Sequence, residues 1–212
     1  MKPAKDQIFV FGASGHAKVV IDIIEKEGLF EIAFLVDDDP SLMGSSVFGY
    51  PVIGGKQELG ASGIVMGVVA IGSNRARRSV AAWLAENGYH LVTVQHPSAQ
   101  VGRGVTLGNN CVVMAGAVVN SDCKIGNDVI INTKASIDHD CHIGDGVHLA
   151  PGTTLCGTVE VGAGTFICAG ATVVPNLKIG SEVVVGAGAT VVTDVPDRVL
   201  VVGTPARIAK SI

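Results

Sequence analysis

The chain has 212 residues, of which 48% are hydrophobic, 16% charged and only 4% aromatic, with 28 glycines. This length and apolar content exclude a disordered chain and a miniprotein that needs disulfide staples. A net charge of −4 excludes any broad attraction for nucleic acid or an anionic membrane.

Residues 1–95 alternate strand-like and helix-like segments. Gln7–Phe11 is a short apolar run that ends in the glycine turn Gly12-Ala13-Ser14-Gly15. From His16 to Glu27 the period is helical, with Val19, Val20, Ile23 and Ile24 on one face and Asp22, Glu25 and Lys26 on the other. Ile32–Val36 is a second apolar run and leads into Asp37-Asp38-Asp39-Pro40. Ile64–Ile71 is a third and ends at Gly72-Ser73-Asn74-Arg75. A helix from Ala76 to Asn87, closed by Gly88, follows. The order predicts a small parallel sheet with helices packed on it, an α/β domain.

Residues 96–212 are a repeat. Every sixth residue from Val101 to Val191 is Val, Ile or Leu, sixteen in succession without an insertion. The residue two before each is small or β-branched almost throughout. One large and one small inward residue per hexad predict a parallel β-helix, with three hexads closing an eighteen-residue triangular coil and about five coils in all. Cys111, Cys123 and Cys141 fall at the small inward position and read as packing residues. Cys156 and Cys168 follow a large inward residue. With five cysteines and no Cys-x-x-Cys, the thiols read as reduced. No run of about 18 uncharged apolar residues occurs, and the N-terminus lacks the features of a signal peptide, which together predict a cytoplasmic protein.

Chemistry is expected on residues that the repeat does not require. His139 follows inward Ile137 by two, so it points out of the prism, and Asp138 and Asp140 flank it. A carboxylate beside an imidazole orients the ring and strengthens it as a general base. Gly157 lies one coil above, leaving room for a substrate and a backbone N–H for an oxyanion. His142 and His148 are six residues apart, and none of the three histidines is spaced by a whole coil, which argues against a metal site. In the first half the full Gly-x-Gly-x-x-Gly fingerprint is absent. The turn with Ser14, Gly15 and His16, and Asp37 or Asp38 downstream, suits one nucleotide or sugar phosphate at a helix N-terminus. Gly72 and Arg75 follow a strand and face the same ligand in this reading, with Arg75 as a phosphate partner.

The segments Phe11–Val20, Ala70–Arg75, His96–Ala99, Ile131–Thr133, Ile137–Cys141 and Val202–Ala206 together resemble a known family. It comprises bacterial sugar acetyltransferases that join a Rossmann-like domain to a left-handed β-helix. Its members include nucleotide-aminosugar N-acetyltransferases and sialic acid O-acetyltransferases. The resemblance implies that His139 is the general base, Asp140 its acidic partner, and that His148 and Ala169 contact acetyl-CoA. Asn132 and Gly157 match residues that line the site. Ser14, Gly15, His16, Asp37, Asp38, Gly72 and Arg75 match positions around the nucleotide sugar. It also implies the left hand of the helix, a homotrimer with acetyl-CoA between neighbouring β-helices, and a role in glycan or lipopolysaccharide synthesis. The expected reaction is direct transfer from acetyl-CoA to the amine of a UDP- or GDP-linked 4-amino-4,6-dideoxyhexose, without a metal. O-acetylation of sialic acid or another sugar, a metal-dependent β-helix hydratase, and a non-catalytic binding role are the alternatives.

Overall fold

The computed structural model describes residues 5–212. It divides into two compact units, the first ending at Pro97 and the second spanning Ser98–Ile212.

In the first unit β1 (Asp6–Phe11) runs into α1 (Gly15–Glu27), then β2 (Phe30–Val36). A hairpin of β3 (Ser46–Val47) and β4 (Tyr50–Pro51) precedes α2 (Lys56–Ala61), and β5 (Met66–Val69), α3 (Asn74–Glu86) and β6 (His90–Leu91) complete it. The sheet order is β2-β1-β5-β6 and every pairing is parallel. The alternation read from the sequence is therefore present. The hairpin, α2 and a 3₁₀ turn at Pro40–Leu42 are additions that no hydrophobic period marks. Phe9, Phe11, Phe34, Leu59 and Leu84 fill the core. Phe9 meets Tyr89 edge to face at 5.6 Å between ring centroids.

The second unit is a parallel β-helix. Sixteen two-residue strands, from Gln100–Val101 to Thr190–Val191, each end on one of the sixteen expected aliphatic residues. Strands eighteen residues apart pair in parallel register, as Lys124 with His142 and Ile130 with His148. Three faces result. The first carries the strands at 100, 118, 136, 154, 172 and 190, the second those at 106, 124, 142, 160 and 178, and the third those at 112, 130, 148, 166 and 184. From Val113 onward every inward aliphatic is buried. Cys111, Cys123 and Cys141 are fully buried, and burial pushes the Cys141 thiol up to about 11, which suits packing and not nucleophilic work.

Every sixth residue from Gly104 to Gly188 has a left-handed backbone, with φ between 55° and 76°. The N–H of this residue reaches a carbonyl one coil below, as Asp140 to Ser121 and Thr158 to His139. These bonds and the strand ladders leave each coil locked to the next. Gly, Asn and Asp fill most of the positions because they tolerate this conformation. Past Val191 the spacing shortens from eighteen to sixteen: Ile179 meets Val195 and Val185 meets Val201. The chain then ends in an antiparallel pair, Val199–Val202 with Arg207–Ser211. The segment after the hexads thus extends the solenoid.

Candidate active site

The first unit places its expected ligand residues around the ends of β1, β2 and β5. The chain leaves β1 towards β2 on one side and β5 lies on the other, so a topological switch point falls between β1 and β5. Both α1 and α3 begin there. Gly12 has φ 119° and a Cβ on it would stand 2.7 Å from the Ala70 carbonyl oxygen, so only glycine fits this turn. Ser14 occupies the N-cap of α1 without a side-chain capping bond, and Ser14 and Gly15 are exposed. His16 lies beside Gly72. Burial first, and then the Arg77 guanidinium, hold the His16 pKa down at about 4, so its ring is neutral at physiological pH.

The two aspartates differ. Asp37 accepts the Ala13 N–H at 2.8 Å and the Asp39 N–H at 3.0 Å, so it ties the end of β2 to the glycine turn. Asp38 is exposed and pairs with Lys56 at 2.9 Å. Arg75 is exposed on the first turn of α3. Two residues further on, Arg77 is fully buried. Its Nη1 donates to the carbonyls of Ile71 at 3.1 Å and Gly72 at 3.2 Å, and its Nη2 to Asn74 Oδ1 at 3.0 Å. No motif in the sequence marks it.

In the second unit His139 stands on the corner between the first and second faces, after the strand Ser136–Ile137 and before His142–Ile143. Its Nδ1 lies 2.7 Å from Asp140 Oδ2. An ionised carboxylate only accepts, so Nδ1 carries the proton and Nε2 keeps its lone pair. Asp138 has a different task. Its Oδ1 accepts the His139 N–H at 2.9 Å and the Asn120 Nδ2–H at 2.9 Å, which fixes the backbone of the corner. The hydrogen bond to Asp140, and then the charge of Asp138, raise the His139 pKa above the usual imidazole value.

Gly157 is buried directly over this ring. A Cβ there would stand 2.8 Å from both His139 Cε1 and Nε2, so any side chain would displace the ring. Turn N–H groups at the same place in other hexads bond to Asn or Asp side chains, as those of Asn109, Asn127, Thr133 and Ser181 do. Gly157 follows Cys156 and has Pro175 one coil above, neither of which offers such an acceptor. Among the described residues none takes its N–H.

Asn132, His148 and Phe166 form a second cluster, on the third face and its edge. Asn132 Oδ1 accepts the Thr133 N–H at 2.7 Å, which turns its amide nitrogen to His148 Nε2 at 3.1 Å. His148 is buried against the Phe166 ring, 4.9 Å between centroids. Ala169 is exposed at the adjoining corner. In a triangular coil the corner that bears His139 lies opposite the third face, so one chain does not bring His139 and His148 together. His142 sits apart from both clusters, in register with Lys124 and Glu160 on the second face. No group of three or more His, Cys, Asp or Glu side chains able to hold a metal ion occurs among the described residues. Nor, among them, is any helix long and apolar enough to cross a membrane.

A parallel α/β unit followed by a hexad β-helix with a His–Asp pair on a coil corner defines a hexapeptide-repeat acyltransferase. Comparison with known proteins narrows the class. Residues 7–84 match the model of the PglD N-terminal domain, and residues 122–157 match that of the bacterial transferase hexapeptide of six repeats. PerB from Caulobacter crescentus, solved with CoA and GDP-perosamine, is 42% identical, with 98% of this chain and 99% of that one covered and a TM-score of 0.91. The acetyltransferase domain of PglB from Neisseria gonorrhoeae, solved with acetyl coenzyme A, is 37% identical over 97% of this chain and 100% of that one, with a TM-score of 0.90. WeeI from Acinetobacter baumannii is 29% identical over 95% and 99%, with a TM-score of 0.87. The chain belongs to the family of PglD/PerB-type sugar acetyltransferases, whose β-helix is left-handed.

Proposed function

We propose that this acetyltransferase moves the acetyl group of acetyl-CoA to the amine of a nucleotide-linked amino sugar, of the UDP- or GDP-4-amino-4,6-dideoxyhexose type. The observation that carries the reading is the His139–Asp140 pair, with Nε2 of the base lying against buried Gly157. The amine attacks the thioester carbon and Nε2 takes the proton that the amine loses. The Gly157 N–H steadies the negative charge that develops on the carbonyl oxygen. Collapse of the tetrahedral intermediate breaks the C–S bond, and the imidazolium returns a proton to the departing CoA thiolate. No acyl-enzyme is needed, since holding both reactants in line supplies much of the acceleration.

The division of labour follows the two units. The first takes the nucleotide, its phosphates at the N-terminus of α1 beside Ser14, Gly15, His16 and Gly72, and its other polar groups at Asp37, Asp38 and Arg75. The second takes the thioester, with Asn132, His148 and Ala169 along the cofactor. Because His139 and His148 lie on opposite sides of the prism, the base of one copy works with the His148 cluster of a neighbour in a homotrimer. Five free cysteines among the described residues suit a cytoplasmic enzyme.

The test is acetyl-CoA consumption across UDP- and GDP-linked 4-amino sugars and their 4-hydroxyl counterparts. Turnover with an amino sugar is expected; turnover with only the hydroxyl sugars would show O-acetylation instead. Mixing inactive His139→Ala and His148→Ala chains under subunit exchange should restore part of the activity. No restoration would place both residues in one chain's site.

A further inference from the structure

A buried arginine is costly unless its donors are used, and Arg77 is the only charged residue among the described ones that is fully buried. It spends Nη1 on two successive backbone carbonyls, those of Ile71 and Gly72. In a trans peptide the N–H points opposite to the C=O of the same plane. Drawing the Ile71 and Gly72 carbonyls inward to Arg77 therefore turns the N–H groups of Gly72 and Ser73 outward. Among the described residues no acceptor takes either of them. The turn lies against His16, the second residue of α1, since a Cβ on Gly72 would stand 4.0 Å from the His16 ring. Successive N–H groups that point the same way form an anion-binding concavity.

We propose that Arg77 is a positioning residue for the nucleotide: its guanidinium fork orients the Gly72 and Ser73 N–H groups so that they take a phosphate of a nucleoside diphosphate beside the N-terminus of α1. Arg77 does this from the core, without touching the ligand. Nη2 on Asn74 Oδ1 completes the fork and holds the first residue of α3 in the same arrangement. The proposal rests on the nucleotide-sugar reading above.

The experiment is calorimetric titration of UDP and of GDP into the wild type and Arg77→Met, Arg77→Lys and Asn74→Ala, with kcat and both KM values measured alongside. Arg77→Met should weaken binding of the preferred nucleoside diphosphate, and raise KM for the nucleotide sugar, by about tenfold or more. Arg77→Lys should be almost as impaired, because one ammonium does not reproduce a planar fork on two carbonyls and an amide. Asn74→Ala should weaken binding by about threefold. KM for acetyl-CoA and kcat at saturation should stay at wild-type values, which general damage to the fold would not allow. Unchanged nucleotide affinity in Arg77→Met, or full recovery in Arg77→Lys, would overturn the proposal. Should Arg77→Met not fold, wild-type affinity in Asn74→Ala would overturn it. A wild type that acetylates amino sugars yet binds neither nucleoside diphosphate would defeat this inference and leave acetyl transfer standing. A wild type that binds the nucleotide and transfers no acetyl group would do the reverse.

Discussion

Phe9, Phe11, Phe34 and Leu84 fill the first unit, while a column of Val, Ile and Leu beside a column of mostly small residues fills the second. Eight of the nine aromatic residues lie before residue 99, and only Phe166 lies in the β-helix. Bulky rings pack irregularly, so in the first unit the sheet order, and not a repeat, decides where a ligand can lie. The residues proposed to bind the nucleotide collect at the ends of β1, β2 and β5. In the second unit every coil is built alike, and the proposed chemistry sits where a coil departs from its neighbours. Asp138, His139 and Asp140 replace the simpler turns, and Gly157 leaves the space above them. A glycine-rich repeat thus carries a site by exception, and an α/β unit carries one by topology.

The β-helix core and its corner should respond differently to substitution. The largest effect is expected inside the β-helix. Leu149 is fully buried between coils, and Leu149→Ala should lower the stability of the second unit by about 2–5 kcal/mol in denaturant titration. A loss within error of zero would mean that the stacked ladders, and not the column, hold the coils.

Next comes Asp140→Asn. Asn tolerates the left-handed backbone at this position, where φ is 60°, so the fold should be retained. The rate should fall about tenfold or more. Asp140 is the main cause of the raised His139 pKa. Activity is lost on the acid side as Nε2 gains a proton, so removing the carboxylate should move that limb of the kcat/KM profile to lower pH. A limb that stays in place would show that another group titrates.

The smallest effect is expected at Thr158, a β-branched residue with φ 60° beside Gly157. Thr158→Asn should relieve strain and stabilise the chain by up to about 1 kcal/mol in thermal unfolding. A loss of stability there would contradict the assignment of that strain.

The hexads were legible because a strict period leaves few folds to choose from, and the α/β order was legible because short apolar runs, buried on both faces in β1 and β5, alternate with amphipathic helices. Other features were hidden for physical reasons. The shift to a sixteen-residue step after Val191 removes the aliphatic from its expected place, where Asp197 stands and accepts the Ser181 N–H at 2.8 Å. The six-residue α2 is too short to show a period. Arg77 passed unread because arginine usually marks a surface, although it shares the buried face of α3 with Val80, Ala81 and Leu84 at helical spacing. Arg75, two residues earlier, is legible as a candidate phosphate partner through its charge and its place after a strand. The bond between Asn132 and His148 was not legible, because it joins residues sixteen apart on successive coils.

The role of His139 as base is tested by the rate of acetyl transfer to an amino sugar by His139→Ala, at saturating acetyl-CoA and near neutral pH. The ring is exposed and its loss leaves the coil ladders intact, so unfolding temperature and CoA affinity should match the wild type. The kcat should fall by about 10²–10⁴. A variant that turns over at the wild-type rate would contradict that role.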